Sequence, residues 1–133
     1  MGFNSQLDVT EVRSPEIVVY AAFQVHRTLG PGLLESVYEK ILGYEINQRH
    51  LKVDVQVAVP VVYAGMTFEA GFRADMIVEQ RVIVELKSVE KILPVHYKQL
   101  LTYLRLADKR LGLLINFGAP LIKDGIKRVV NKL

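Results

Sequence analysis

Two short apolar runs, Phe72-Arg-Ala-Asp-Met-Ile-Val78 and Val82-Ile-Val-Glu-Leu-Lys87, flank the polar Glu79-Gln80-Arg81. Runs of this length, rich in β-branched residues and parted by three polar ones, read as a β-hairpin at the centre of a sheet. Charges inside such strands are costly without a partner or a purpose, and Arg73, Asp75, Glu85 and Lys87 are four of them. Alternate residues of a strand share a face, so Ile83, Glu85 and Lys87 point one way and Val82, Val84 and Leu86 the other. A three-residue loop of Glu79, Gln80 and Arg81 sets Asp75 across from Glu85. A two-residue turn would part them unless a bulge restored the phase.

Two carboxylates facing each other across a strand pair repel, and burial makes the repulsion worse unless a cation lies between them. Oxygen ligands from Asp75 and Glu85, with a backbone carbonyl nearby, suit Mg²⁺ or Mn²⁺, which keep several waters and use few protein ligands. Lys87 would then project beside the ion. The alternative is a salt-bridge cluster in which Arg73 and Lys87 neutralise the two acids. Two helices carry polar residues that fit the same site. Gln99 and Tyr103 lie four apart, on one helical face with His96, and Glu35 and Tyr38 share a face at the start of another helix. Plainer roles are open to them too: core packing for the tyrosines and a dipole-favoured first-turn carboxylate for Glu35.

The rest of the chain supplies the frame. Residues 1–14 are polar and aperiodic and read as a loose lead-in to a single domain over 15–133. Ser14-Pro15-Glu16 reads as a helix start, with Ser as N-cap and Pro in the first helical position, and Gly30-Pro31-Gly32 ends that helix. A second helix is expected over 33–49, strands over 53–63 and 66–70, a third helix over 94–107, a buried strand over 111–117 and a short basic amphipathic tail over 122–130. This order predicts an α/β domain built on a mixed β-sheet of about four to five strands flanked by helices. With 133 residues and 0 Cys, the chain needs no disulfide, and thiolate catalysis, zinc ribbons and iron-sulfur clusters are excluded. No apolar run approaches the ~18 residues of a membrane span, and residues 1–11 lack the pattern of a secretory signal, so no membrane association and a cytoplasmic address are expected. The net charge of +3 hides an asymmetry. Residues 1–97 hold 9 basic and 12 acidic side chains, residues 98–133 hold 8 and 2. The C-terminal third is a basic module suited either to a polyanion or to a solvated surface.

Asp75 followed ten residues later by Glu85-Leu86-Lys87 resembles the Asp and Glu-x-Lys signature of the PD-(D/E)XK nuclease superfamily. Gln99 to Tyr103 is similar to the Gln-x-x-x-Tyr motif of its RecB-like branch. More narrowly, Gly32-x-x-Glu35-x-x-Tyr38, Phe72-Arg-Ala-Asp75, Glu85-Leu-Lys87 and Leu114-Ile-Asn-Phe-Gly118 together resemble the GxxExxY family, over about residue 15 to the C-terminus. One departure is that Ala74 precedes Asp75 where the superfamily has Pro, which leaves the carboxylate in place. The resemblance implies a restriction-endonuclease-like core in which a helix carries an acid, here Glu35, a hairpin supplies the metal-binding pair, and a following helix closes the site.

The function expected on this basis is metal-dependent hydrolysis of phosphodiester bonds in nucleic acid, DNA or RNA. Asp75, Glu85 and the Leu86 carbonyl would hold Mg²⁺ or Mn²⁺, with Glu35 joining directly or through water. Lys87 would steady the attacking water or the scissile phosphate, and Gln99 and Tyr103 would orient substrate or the Lys87 end of the site. A core this small suggests action as a homo-oligomer or with a protein partner. The alternative keeps the fold and drops catalysis: an inactive nucleic-acid-binding or protein-interaction module. A nucleotide loop at Gly30-Pro31-Gly32 is disfavoured, because it follows a helix and lacks the phosphate-cradling glycine patterns.

Overall fold

The structure, a computed structural model, describes residues 5–69 and 71–132, with side chains from Arg13 onward. The hairpin is its centre. Strands β4 (Arg73–Val78) and β5 (Val82–Lys87) pair antiparallel with Val78 opposite Val82, Ile77 opposite Ile83 and Met76 opposite Val84. The loop between them is the expected three residues. Glu79 and Gln80 take φ of 53° and 59°, and the Arg81 N–H closes the turn on the Val78 carbonyl at 3.0 Å.

Strand β1 (Val53–Ala58) lies antiparallel against β4, and β6 (Leu111–Asn116) runs parallel to β5. The order across the mixed sheet is β1-β4-β5-β6-β7, with β7 (Ile126–Val130) at its far edge. A parallel neighbour needs a crossover, and α3 (Pro94–Ala107) supplies it. A separate two-stranded ribbon, β2 (Val61–Tyr63) with β3 (Met66–Phe68), sits between β1 and β4 in the chain.

Helices cover both faces, which is why the central strands are apolar apart from the four charges at their open end. Val82, Val84 and Leu86 of β5, with Leu113 and Ile115 of β6, pack against α1 (Ser5–Leu29) and α2 (Glu35–Gln48). Ile83 and Leu114 pack on the other face against Leu100, Tyr103 and Leu104 of α3. The expected alternation along β5 is therefore observed.

Two expectations are corrected. Helix α1 does not start at Ser14: residues 5–13, expected to be loose, are helical, and Pro15 lies inside the helix. Ser14 and Pro15 are buried and Val18, Ala21, Ala22 and Val25 follow in the core, so packing outweighs the local signal of Ser-Pro as a start. The basic tail is likewise not a single amphipathic segment. A four-residue helix, α4 (Ile122–Gly125), leads into β7 (Ile126–Val130), which pairs antiparallel with β6. Ile126 packs on the α1–α2 side and Val129 on the α3 side, so the segment completes the sheet. Gly125 permits the approach, since a Cβ there would stand 2.5 Å from the Asn116 carbonyl oxygen. Among the described residues no helix is long and apolar enough to cross a membrane.

Candidate active site

The β4–β5 ladder changes character beyond Met76 and Val84. The next residues, Asp75 and Glu85, use side chains where backbone pairing would be: the Asp75 N–H donates to Glu85 Oε2 at 2.7 Å, and the Leu86 N–H donates to Asp75 Oδ2 at 2.8 Å. The carboxylates thus brace the end of the hairpin, facing one another as the register requires. Glu85 is 5 % exposed. Burial, then the neighbouring Asp75 charge, pushes its carboxyl up to about 8, against the opposing pull of the Asp75 N–H and Lys87. Asp75 is also raised, by burial first. Its hydrogen bond from Leu86 and the charge of Lys87 act against the rise, while Glu39 and Glu35 add to it.

The salt-bridge alternative is not formed. Among the described residues, no ion pair joins Arg73 or Lys87 to either acid, and the Arg73 guanidinium donates to the Gln56 carbonyl at 3.0 Å. Lys87 is half-buried at the end of β5, close enough to bias both carboxyls by its charge. Two facing acids with no bonded cation remain, the electrostatic arrangement that a divalent ion resolves.

Helix α2 brings further acids. A cavity of about 230 Å³ is lined by Glu35, Ser36, Glu39, Gln56, Asp75 and Leu86. Glu35 stands in the first turn of α2, where the helix dipole favours it. Its Oε2 accepts the Ser88 N–H at 3.3 Å, so it reaches the loop that follows Lys87. No three acidic or histidine side chains among the described residues converge closely enough to hold an ion between them. The donors present, two carboxylates with the Leu86 carbonyl beside them, fit a hard ion that keeps most of its water. Glu35 shares the cavity with Asp75 while its carboxylate is engaged by the Ser88 N–H.

Three residues of this cavity, Ser36, Glu39 and Gln56, were not singled out from the sequence. Glu39 lies one helical turn after Glu35, a spacing that could have flagged it. Gln56 had no signal. It sits in β1 with φ of 50°, a left-handed conformation rare outside glycine, and its Nε2 donates to Glu39 Oε1 and Oε2 at 3.0 and 3.1 Å and to Asp75 Oδ1 at 3.4 Å. The reversal at Gln56 also breaks strand alternation: Val53 packs on the α1–α2 side but Val57 on the α3 side.

Helix α3 contributes Gln99 and Tyr103. Tyr103 is 5 % exposed, and its hydroxyl is raised by burial and then by the charges of Glu85 and Asp75, so it lies within electrostatic reach of both acids. The exposed Gln99 side chain, one helical turn earlier, acts against that rise. His96 belongs to the helix and not to the site: its Nδ1 accepts the Leu93 N–H at 3.0 Å and caps α3. Tyr38 is wholly buried and structural. Its ring stacks on Phe117 at 4.4 Å, and its hydroxyl donates to the Gly30 carbonyl and accepts the Leu33 N–H, holding the loop before α2. Asn116 performs a similar service on the other side. Its Oδ1 accepts the Val89 and Gly118 N–H groups, each at 3.0 Å, and its Nδ2 donates to the Val89 carbonyl at 2.9 Å. Ser88 Oγ donates to the Leu33 carbonyl at 2.7 Å, so the segment after Lys87 is fixed to both layers.

An antiparallel hairpin that carries Asp and Glu-x-Lys at its open end, between a helix bearing an acid and a helix bearing Gln and Tyr, defines a class of nuclease-like α/β proteins. A family model described as the PD-(D/E)XK nuclease superfamily matches residues 13–129, nearly the whole chain, and the chain belongs to that superfamily. No curated protein and no solved structure matches it.

Proposed function

We propose that the protein is a Mg²⁺- or Mn²⁺-dependent nuclease, one of the GxxExxY group within the RecB-like branch, acting as a single catalytic domain over 15–133 in the cytoplasm. The observation that carries this reading is the pair of mutually braced carboxylates, Glu85 buried and Asp75 half-buried, with Lys87 beside them and no bonded cation. Asp75, Glu85 and the Leu86 carbonyl would hold the ion, and Glu35 would join them directly or through water. When bound, the ion supplies positive charge that acidifies water and offsets charge developing at the phosphorus.

The chain's own residues do the rest. Glu85 must give up its proton before the pair can act as ligands, so a bound cation and rising pH favour the same deprotonated form. Lys87 donates to a phosphate oxygen or to the attacking water, and water displaces the alkoxide of the next nucleotide. Tyr103 and Gln99 keep the Lys87 end of the site ordered. A non-catalytic nucleic-acid-binding or protein-interaction module is the second reading, favoured by the engagement of Glu35 with Ser88. The deciding experiment is a panel of single- and double-stranded DNA and RNA incubated with Mg²⁺ or Mn²⁺. Lys87→Ala should lower cleavage at least about a hundredfold, and Asp75→Ala should abolish stabilisation by Mn²⁺. Full cleavage by Lys87→Ala would refute the mechanism. Size-exclusion chromatography with light scattering tests the homo-oligomer.

A further inference from the structure

A second concavity opens directly off the carboxylate cavity. It has a volume of about 620 Å³, lies between α2 and β1, and shares Ser36, Glu39 and Gln56 with the first. Tyr44 on the helix and Val55 on the strand both line it, and both are left largely uncovered, at 61 % and 52 % exposed. Lys40 and Asn47 add a cation and an amide to its wall.

We propose that this groove receives an unpaired nucleobase, which makes single-stranded nucleic acid the substrate of the neighbouring site. The inference rests on the nuclease reading and adds the substrate class to it. An exposed aromatic ring beside a branched aliphatic offers a face on which any base can stack. The Asn47 amide carries both donor and acceptor for a base edge, and the Lys40 ammonium suits the phosphate of an adjoining nucleotide. Because the two cavities share a wall, a phosphate at Asp75 and Glu85 and a base at Tyr44 belong to neighbouring nucleotides of one strand. A base held in a duplex stack cannot enter such a groove without first being extruded. A peptide strand added along the free edge of β1 would be the other candidate occupant, but the left-handed Gln56 interrupts the row of backbone groups that it would need.

The test is fluorescence anisotropy in Mn²⁺ with the full chain carrying Lys87→Ala to prevent turnover. The probes are labelled single-stranded DNA, single-stranded RNA of the same sequence and a blunt DNA duplex. A single strand should bind about tenfold more tightly than the duplex. Adding Tyr44→Ala should weaken single-strand binding by roughly 5- to 150-fold and leave duplex binding within about twofold, while Tyr44→Phe keeps the ring and the affinity. Unchanged single-strand affinity in Tyr44→Ala, or an equal loss for strand and duplex, overturns the proposal. If the wild-type protein binds and cuts only duplex, the groove proposal fails and the nuclease reading stands. If it neither binds nor cuts any of the three, the nuclease reading fails and the groove proposal with it.

Discussion

A carboxyl with 5 % exposure that faces a second carboxyl keeps its proton at pH values where an ordinary glutamate has lost it. For Glu85 the folded value, about 8, lies above the ordinary 4.5, so between the two the folded chain binds the extra proton. Its favourable contribution to stability is therefore full below pH 4.5 and is lost as pH rises towards 8. Without divalent ions, melting temperature should fall across this window, and Glu85→Gln should flatten much of the fall. Mn²⁺ should stabilise the wild type more at pH 8 than at pH 6. A wild-type profile no steeper than that of Glu85→Gln would contradict the assignment. Gln56 is a different case, because its left-handed backbone costs about 1 kcal/mol in a residue with a Cβ. Gln56→Gly should hold or raise the melting temperature while weakening the Mn²⁺ response. A marked drop in melting temperature would instead make Gln56 a contributor to folding.

At the scale of elements, the loop after β5 depends on Asn116 at the end of the neighbouring strand β6. Asn116→Ala leaves the Val89 N–H and carbonyl and the Gly118 N–H without their partner. Each such loss costs about 1–3 kcal/mol, so urea unfolding should show a destabilisation of about 3 kcal/mol, with faster amide exchange over residues 87–90. Unchanged exchange there would show that the loop holds itself. The hairpin and its acids were legible in the sequence because alternation and a three-residue loop fix face and register together. That Gln99 and Tyr103 share one face of a helix was legible because four-residue spacing fixes a helical face. Gln56 was not, since its role arises from a backbone reversal that glutamine does not advertise. Strand β7 was hidden for another reason: Lys127 and Arg128 give it the look of a solvated tail, and only the open edge of β6 makes it a strand. Pro15 misled because a helix-start signal is local and burial is not.

Over the whole molecule, charge is divided between the two ends of the sheet. Lys87 and Asn116 end β5 and β6 at the acidic site, whereas Arg81, Lys109 and Arg110 line a concavity of about 480 Å³ beside Val82 and Leu111, at the other end of the same strands. Five residues of strand separate the ends, about 17 Å, so a nucleic-acid backbone must extend several nucleotides to meet both. Log affinity against log salt should slope downward, and Lys109→Ala with Arg110→Ala should lessen the slope by about 1.5 while leaving the Mn²⁺ response unchanged. An unaltered slope would place the backbone elsewhere. The parallel pairing of β5 with β6 carries one more consequence, for the order in which the chain assembles. The two acids close on each other across a separation of 10 residues, but Glu35 meets Ser88 across 53 and His26 meets Ala119 across 93. Short loops close at the least entropic cost. Asp75 and Glu85 can therefore be neighbours while most of the chain is still unfolded, yet a chain shortened before residue 111 would keep both and lose the partner that fixes the loop beyond Lys87.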